Sequence, residues 1–280
     1  MKLNLDYNLI KNNNKACIVF LHGWGMNKNC FEKVISNIER GYQILSLDFF
    51  GFGKSSEPSQ YFDTYEYAYH IFVLLKKLNI EKVILVGHSF GGRIAILLSS
   101  VFDIEVEHLI LTSSAGIITF DLCKLIKIIN YKFKKILVKY KLLSYDYLQK
   151  YGSKDYKNCS ANLKAVFVKV VNQDLQKHLS KISAKTKLVW DKKDKETPYK
   201  YCKILNKNIN NSEIKLFDIG GHFAFLYNVS KFSKIINNLQ RWWLLTITIK
   251  LLSQIYLFNT YITIILINIM VFNFLWGIWN

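Results

Sequence analysis

The apolar residues of this chain fall into short unbroken runs separated by stretches of helical spacing. Residues 16 to 21, A-C-I-V-F-L, and 43 to 48, Q-I-L-S-L-D, read as buried strands that run into Gly-punctuated loops, H-G-W-G and F-F-G-F-G-K-S-S-E-P. Between them residues 29 to 39 place Phe31, Val34, Ile35 and Ile38 on one helical stripe. The pattern then repeats. Residues 63 to 78 carry Tyr67, Ile71, Leu74, Leu75 and Leu78 at helical intervals, 82 to 86 form an apolar strand, Gly91 to Ser100 continue as a helix, and 106 to 112 supply another strand. Near-continuous apolar strands alternating with helices predict an α/β fold: a mostly parallel central sheet flanked by helices and joined by right-handed crossovers.

From about Gly116 to Lys185 the rhythm changes. No strand-like run stands out, and residues 121 to 157 carry ten lysines against three aspartates with apolar residues between them. This predicts an insertion of amphipathic helices over about 117–185, lying over the edge of the sheet. The strand pattern returns at 186 to 190, T-K-L-V-W, and 213 to 217, E-I-K-L-F, so the sheet resumes around the insertion.

The pattern breaks again at the end. Residues 251 to 280 contain no charged side chain, with Trp276 and Trp279 at one end and Arg241, Trp242, Trp243 and Lys250 before the other. A run of this length is enough to span a bilayer, and the preceding basic residues favour a cytoplasmic body. Gln254, Asn259, Asn268 and Asn273 dilute the signal; the alternative is a helix packed on the domain or a hydrophobic extension. The expected organisation is one α/β domain over 1–240, with the insertion inside it, and a hydrophobic C-terminal membrane segment over 241–280.

Composition changes this picture little. A 51% hydrophobic, 15% aromatic chain of 280 residues has enough apolar surface for one sizeable core and is far from the profile of a disordered protein. The formal charge of +18 suits an anionic lipid surface, an acidic substrate or nucleic acid, but biased use of lysine accounts for much of it. No specific nucleic-acid partner is expected from charge alone. The five cysteines, Cys17, Cys30, Cys123, Cys159 and Cys202, form no C-x-x-C, which points to a reducing compartment and to no metal site. The N-terminus lacks the apolar run and cleavage site of a signal peptide.

The candidate chemistry lies at G-H-S-F-G, residues 87 to 91, after a strand and before a helix. In that setting the motif predicts a nucleophile elbow, with Gly87 and Gly91 allowing close approach of strand and helix while Ser89 projects from the turn; a structural Ser/Gly turn is the alternative. A serine nucleophile needs a base, and the base needs an orienting acid. Of the six histidines, His88 should point away from the serine and His22 should shape the loop after the first strong strand. His222, carried beyond the last strand by Gly220 and Gly221, is the candidate base. Asp194, in L-V-W-D-K-K-D-K-E-T-P, is the candidate acid, with Asp191 and Glu196 as nearby rivals. The backbone N–H groups of Phe90 and Trp24 are the candidate oxyanion donors.

H-G-W-G at 22 to 25, D-F-F-G-F-G-K-S at 48 to 55, G-H-S-F-G-G at 87 to 92, W-D-K-K-D-K-E-T-P at 190 to 198 and G-G-H-F at 220 to 223 together make the chain resemble the α/β-hydrolase superfamily. The likeness is to its small-molecule serine hydrolase branch with a cap insertion. The resemblance covers roughly residues 15 to 239 and implies the same assignment: Ser89 nucleophile, Asp194 acid, His222 base, and Trp24 and Phe90 as donors. The family usually has glycine where this chain has Asp191, which leaves Asp191 in play at the acid turn. Ser89 argues against the subgroups whose nucleophile is an aspartate. The segment before Ala16 is short for the first antiparallel strands of this fold.

These readings lead to a carboxylic ester hydrolase acting on an ester or thioester of a small or medium apolar molecule, with no cofactor. C–C bond hydrolysis and acyl transfer use much of the same constellation and stay open, as does a catalytically inactive, membrane-tethered binding or scaffolding protein. The expected partners are a small-molecule substrate and, through the C-terminal tail, membrane lipid.

Overall fold

The structure is a computed structural model that describes residues 3–12, 16–39, 41–120, 122–149 and 152–239. It divides into two compact units, Met1–Phe232 and Ser233–Asn280. Of the second unit, residues 233–239 are described and are helical.

The first unit is built on a seven-stranded sheet in the order β1-β3-β2-β4-β5-β6-β7. Its strands are β1 (Tyr7–Ile10), β2 (Ala16–Leu21), β3 (Gln43–Leu47), β4 (Lys82–His88), β5 (Glu105–Thr112), β6 (Lys185–Asp191) and β7 (Ser212–Phe217). All pairings are parallel except that of β1 with β3. β2 and β4 are buried on both faces, apart from the half-buried Lys82, because helices cover both sides of a parallel sheet. The antiparallel edge is one short strand, whose Y-N-L-I alternates half-buried and exposed as an edge strand does.

The helices are α1 (Glu32–Ile35), α2 (Thr64–Lys77), α3 (Phe90–Ser100), α4 (Leu122–Lys139), α5 (Asp146–Gln149), α6 (Lys154–Lys157), α7 (Ala161–Asn172), α8 (Tyr199–Asn208) and α9 (Ala224–Tyr227). α2 starts where Asp63 accepts hydrogen bonds from the Tyr65 and Glu66 N–H groups, at 2.8 and 3.1 Å, and buries Tyr67, Ala68, Ile71, Leu74 and Leu75. Such a cap contributes about 1 kcal/mol. The helix expected over 29–39 is shorter than its stripe suggested: Asn27 caps a 3-10 turn over Lys28–Phe31, and α1 adds one turn. α4 to α7 lie between β5 and β6 and form the expected cap.

The structure corrects the membrane expectations. Among the described residues no helix is long and apolar enough to cross a membrane. The transmembrane segment, the lipid partner and the membrane-anchored localisation drawn from it therefore find no anchoring helix here. The 241–280 tail on which they rested lies outside the described residues.

Candidate active site

The candidate residues sit at or just beyond the C-terminal ends of the parallel strands. Ser89 follows β4 and precedes α3 with φ 48° and ψ −107°, a left-handed conformation that costs a non-glycine residue about 1–3 kcal/mol. The elbow is clamped by its neighbours: Ser89 N–H donates to the Thr112 carbonyl at 3.2 Å, and the Ser89 carbonyl accepts from Ala115 N–H at 3.0 Å. The flanking glycines are required by close approach. A Cβ on Gly91 would lie 2.0 Å from the Leu21 carbonyl oxygen, and one on Gly87 would lie 2.7 Å from that of Gly91.

His222 stands on the turn after β7, which reverses through positive φ at Gly220 (108°) and Gly221 (55°). Its Nδ1 is 3.0 Å from Asp194 Oδ2, and both residues are buried. Asp194 Oδ1 accepts from the N–H groups of Glu196 and Thr197, each at 2.9 Å, and Oδ2 lies 2.8 Å from the Thr197 hydroxyl. Burial pushes the Asp194 carboxyl up, but the hydrogen bonds and charge interaction with His222 and those from Thr197 outweigh it and hold the carboxyl below its ordinary range.

The two rivals at the acid turn take other positions. Asp191 is buried and directs Oδ1 to Lys193 N–H and Oδ2 to Gly221 N–H, both at 2.8 Å. One carboxylate thus ties the turn just before Asp194 to the turn just before His222. This is what the aspartate does at a position where the family usually has glycine. Glu196 is exposed, and its Oε2 lies 3.3 Å from the opposite nitrogen of the base, His222 Nε2. Ser89 and His222 line the same cavity. Among the described residues the Ser89 hydroxyl makes no hydrogen bond to the imidazole, a contact that in unliganded sites often tightens only with substrate.

Two other histidines near the site, His22 and His88, are buried and hydrogen-bonded to backbone. His22 Nδ1–H donates to the Gly23 carbonyl at 2.7 Å and Nε2 accepts from Phe49 N–H at 3.0 Å, while burial lowers its pKa to about 4. His88 turns away from Ser89, and its Nε2–H donates to the His222 backbone carbonyl at 3.0 Å; burial lowers its pKa to about 3. The 48–55 loop folds around Asp48, which accepts from Lys28 and Lys54 N–H at 2.7 and 2.9 Å. Sequence reasoning missed Thr197 and the tethering bond of His88. The T-P that follows the acid was a signal for the first, and no local signal marked the second.

Trp24 and Phe90 flank Ser89 in the cavity wall, their rings edge to face at 5.2 Å. Among the described residues neither backbone N–H is spent on a hydrogen bond inside the chain: Phe90 is the first residue of α3, and Trp24 lies in the turn closed by Met26 N–H to the Gly23 carbonyl. The cavity measures about 550 Å³ and takes its roof from the cap, including Phe167 and Val170 of α7.

Residues 17–140 match the family described as alpha/beta hydrolase fold. The AB hydrolase superfamily protein YisY of Bacillus subtilis is 27% identical over 242 residues, covering 78% of this chain and 89% of that protein. The 2-hydroxy-6-oxo-6-(2'-aminophenyl)hexa-2,4-dienoic acid hydrolase of Metapseudomonas resinovorans is 30% identical over 42% of each chain. Among solved structures, an esterase from Exiguobacterium antarcticum superposes with a TM-score of 0.65 at 25% identity, covering 84% of this chain and 94% of the other. Strand order, serine elbow, cap insertion and these likenesses together show that the chain has the α/β-hydrolase fold.

Proposed function

We propose that the protein is a serine hydrolase that cleaves a carboxylic ester or thioester of a small or medium molecule. The observation that carries this reading is the strained elbow at Ser89, beside a buried Asp194–His222 pair and two uncommitted backbone N–H groups. In this reading Ser89 Oγ attacks the carbonyl carbon while His222 Nε2 removes its proton. Asp194 accepts from Nδ1–H, fixes the tautomer and stabilises the imidazolium. The N–H groups of Trp24 and Phe90 hydrogen-bond the carbonyl oxygen as it becomes an oxyanion, a donor of this kind being worth about 3 kcal/mol of barrier. His222 then protonates the leaving group, and water, activated by the same imidazole, releases the acyl group from Ser89. Trp24, Phe90, Phe167, Val170 and Ile117 give the cavity an apolar wall suited to an acyl chain.

C–C bond hydrolysis on the same residues is the second reading, favoured by the 30% identity to the hexadienoic acid hydrolase. The test is labelling of the full chain with a fluorophosphonate, wild type beside Ser89→Ala and His222→Ala, followed by ester, thioester and vinylogous diketone substrates. Labelling lost in the serine variant and weakened in the histidine variant supports a working nucleophile. Turnover confined to the diketone overturns the ester reading. No labelling of folded wild-type protein overturns both.

A further inference from the structure

Arg93 is the charged group in this cavity that the proposed chemistry does not use. The cavity wall also carries Lys154, Asp155 and Glu196, but these are exposed at its mouth, whereas Arg93 is 94% buried, with a relative exposure of 6%. Its Nη1–H donates to the Gln173 backbone carbonyl at 2.7 Å, and among the described residues no carboxylate forms an ion pair with it. Burial lowers its pKa only to about 10, with Asp174 and Tyr201 opposing that shift, so it stays a cation at neutral pH. Asp174 offsets part of the cost of burying this charge without pairing with it directly, and the guanidinium has five N–H donors in a planar fork that matches a carboxylate, of which one is spent on Gln173. Arg93 lies in the first turn of α3, four residues after Ser89, and both line the cavity.

We propose that Arg93, buried in the wall of the cavity, is an anion subsite that recognises a carboxylate carried on the acyl side of the substrate. The charge beside the base chooses the acyl side over the leaving-group side. His222 Nε2 returns its proton to the leaving group, and Glu196 Oε2 stands 3.3 Å from that nitrogen, so a negative leaving group meets like charge. Arg93 lines the same cavity together with the apolar Ile117 and Val170. The substrate class is therefore a half-ester or half-thioester of a dicarboxylic acid, with a short apolar chain between the scissile carbonyl and the carboxylate. This rests on Ser89 being the nucleophile.

The test uses the full chain with monomethyl glutarate, adipate and pimelate beside methyl hexanoate, in wild type, Arg93→Met and Arg93→Lys. We expect wild type to prefer the best half-ester to methyl hexanoate at least tenfold in kcat/KM. Arg93→Met should lose roughly 100-fold on the half-ester, mostly through KM, and stay within about threefold on methyl hexanoate; Arg93→Lys should recover part of the loss. Equal wild-type preference overturns the inference. So does an equal loss on both substrates in Arg93→Met, which would make Arg93 only a tether of the cap at Gln173. A binding arm needs neither turnover nor a foldable variant: adipic acid monoamide should raise the wild-type Tm and hexanamide at the same concentration should not. Equal effects of the two amides overturn the subsite even if Ser89 is active. Selective stabilisation without fluorophosphonate labelling leaves the subsite standing and overturns the hydrolase reading instead.

Discussion

The turns at the strand ends and the cap above them are held in different ways. Around the proposed acid and base, residues 190–197 and 220–222 are cross-tied by Trp190 Nε1–H to the Thr197 carbonyl, Asp191 to Gly221, Thr197 to Asp194, and His88 to the His222 carbonyl. Each of these bonds is buried or half-buried, where an unmade bond leaves a polar group at a cost of about 1–3 kcal/mol. The cap meets the body through a different set of contacts: Arg93 to the Gln173 carbonyl, the Tyr65 hydroxyl to His178, the Phe167 ring on Trp24, and Leu163 against Gly51. Its longest helix, α4, leaves Leu122, Ile126, Ile129 and Phe133 exposed within the described residues. The difference teaches where each part of function resides. On the proposed function, reaction chemistry depends on the cross-tied turns, and the choice of substrate falls to the cap.

The sharpest break of this comparison is Ser89→Ala. Hydrolysis should fall by about 10⁴-fold or more while the Tm stays near wild type, because alanine keeps the same backbone demand at φ 48° without the nucleophile. Steady-state hydrolysis and thermal unfolding on the same preparation check it.

Asp194→Asn comes next, with an expected loss of about 10³–10⁴-fold in kcat, since the amide cannot serve the His222 Nδ1–H as the carboxylate does. It also carries a pH signature. The Asp194 carboxyl is held below its ordinary range in the folded chain, so the unfolded chain binds the proton more readily. The stability this confers is complete above the ordinary aspartate value of about 4 and is lost as pH falls through the lower folded value. Urea unfolding should therefore show wild type more stable than Asp194→Asn at pH 7 and the gap closing towards pH 3. A gap that does not depend on pH would mean the carboxylate is not the stabilising partner.

How far these two regions were legible in the sequence follows from the same contrast. The strand runs and the five loop motifs could be read because burial on both faces demands unbroken apolar residues, and because Gly87 and Gly91 admit no Cβ. β1 was not read, since an edge strand that alternates half-buried and exposed residues over four positions gives little periodicity. The helix over 29–39 was overextended because its apolar stripe continues past the point where α1 stops, at Ser36. Asp191 was seen as an anomaly, but its partner Gly221 is thirty positions away, and no local pattern encodes such a bond. Arg93 went unread for a related reason: that α3 buries it against the cavity with its guanidinium bonded to the Gln173 carbonyl is a fact of packing rather than of spacing.

Asp191 offers a smaller perturbation of the cross-tied side. Asp191→Gly, the residue usual in the family, removes the acceptor shared by Lys193 and Gly221 N–H. A hydrogen bond to a charged group is worth about 1.5–3 kcal/mol, so kcat should drop roughly tenfold or more with KM little changed. Asp191→Asn, which keeps one acceptor, should recover part of it. A purely structural role would lower the Tm and the yield of active protein without that recovery in kcat.

The smallest effect belongs to the cap, and it tests whether chemistry and selection are separable. Phe167 projects from α7 into the cavity and packs its ring on Trp24 at 5.1 Å and on Tyr156 at 6.1 Å. Truncation to alanine widens the cavity beside the proposed nucleophile without touching the Asp194–His222 pair. Apolar pockets discriminate weakly, by about 1–3 kcal/mol per methylene-sized change. Phe167→Ala should accordingly shift the preferred acyl length upward and change KM several-fold across a series of 4-nitrophenyl esters. Fluorophosphonate labelling of Ser89 and kcat on the best ester should remain within about threefold of wild type. If kcat collapses for every ester instead, the Phe167 to Trp24 contact holds the Trp24 N–H in place, and the cap belongs to the reacting machinery as much as the strand-end turns do.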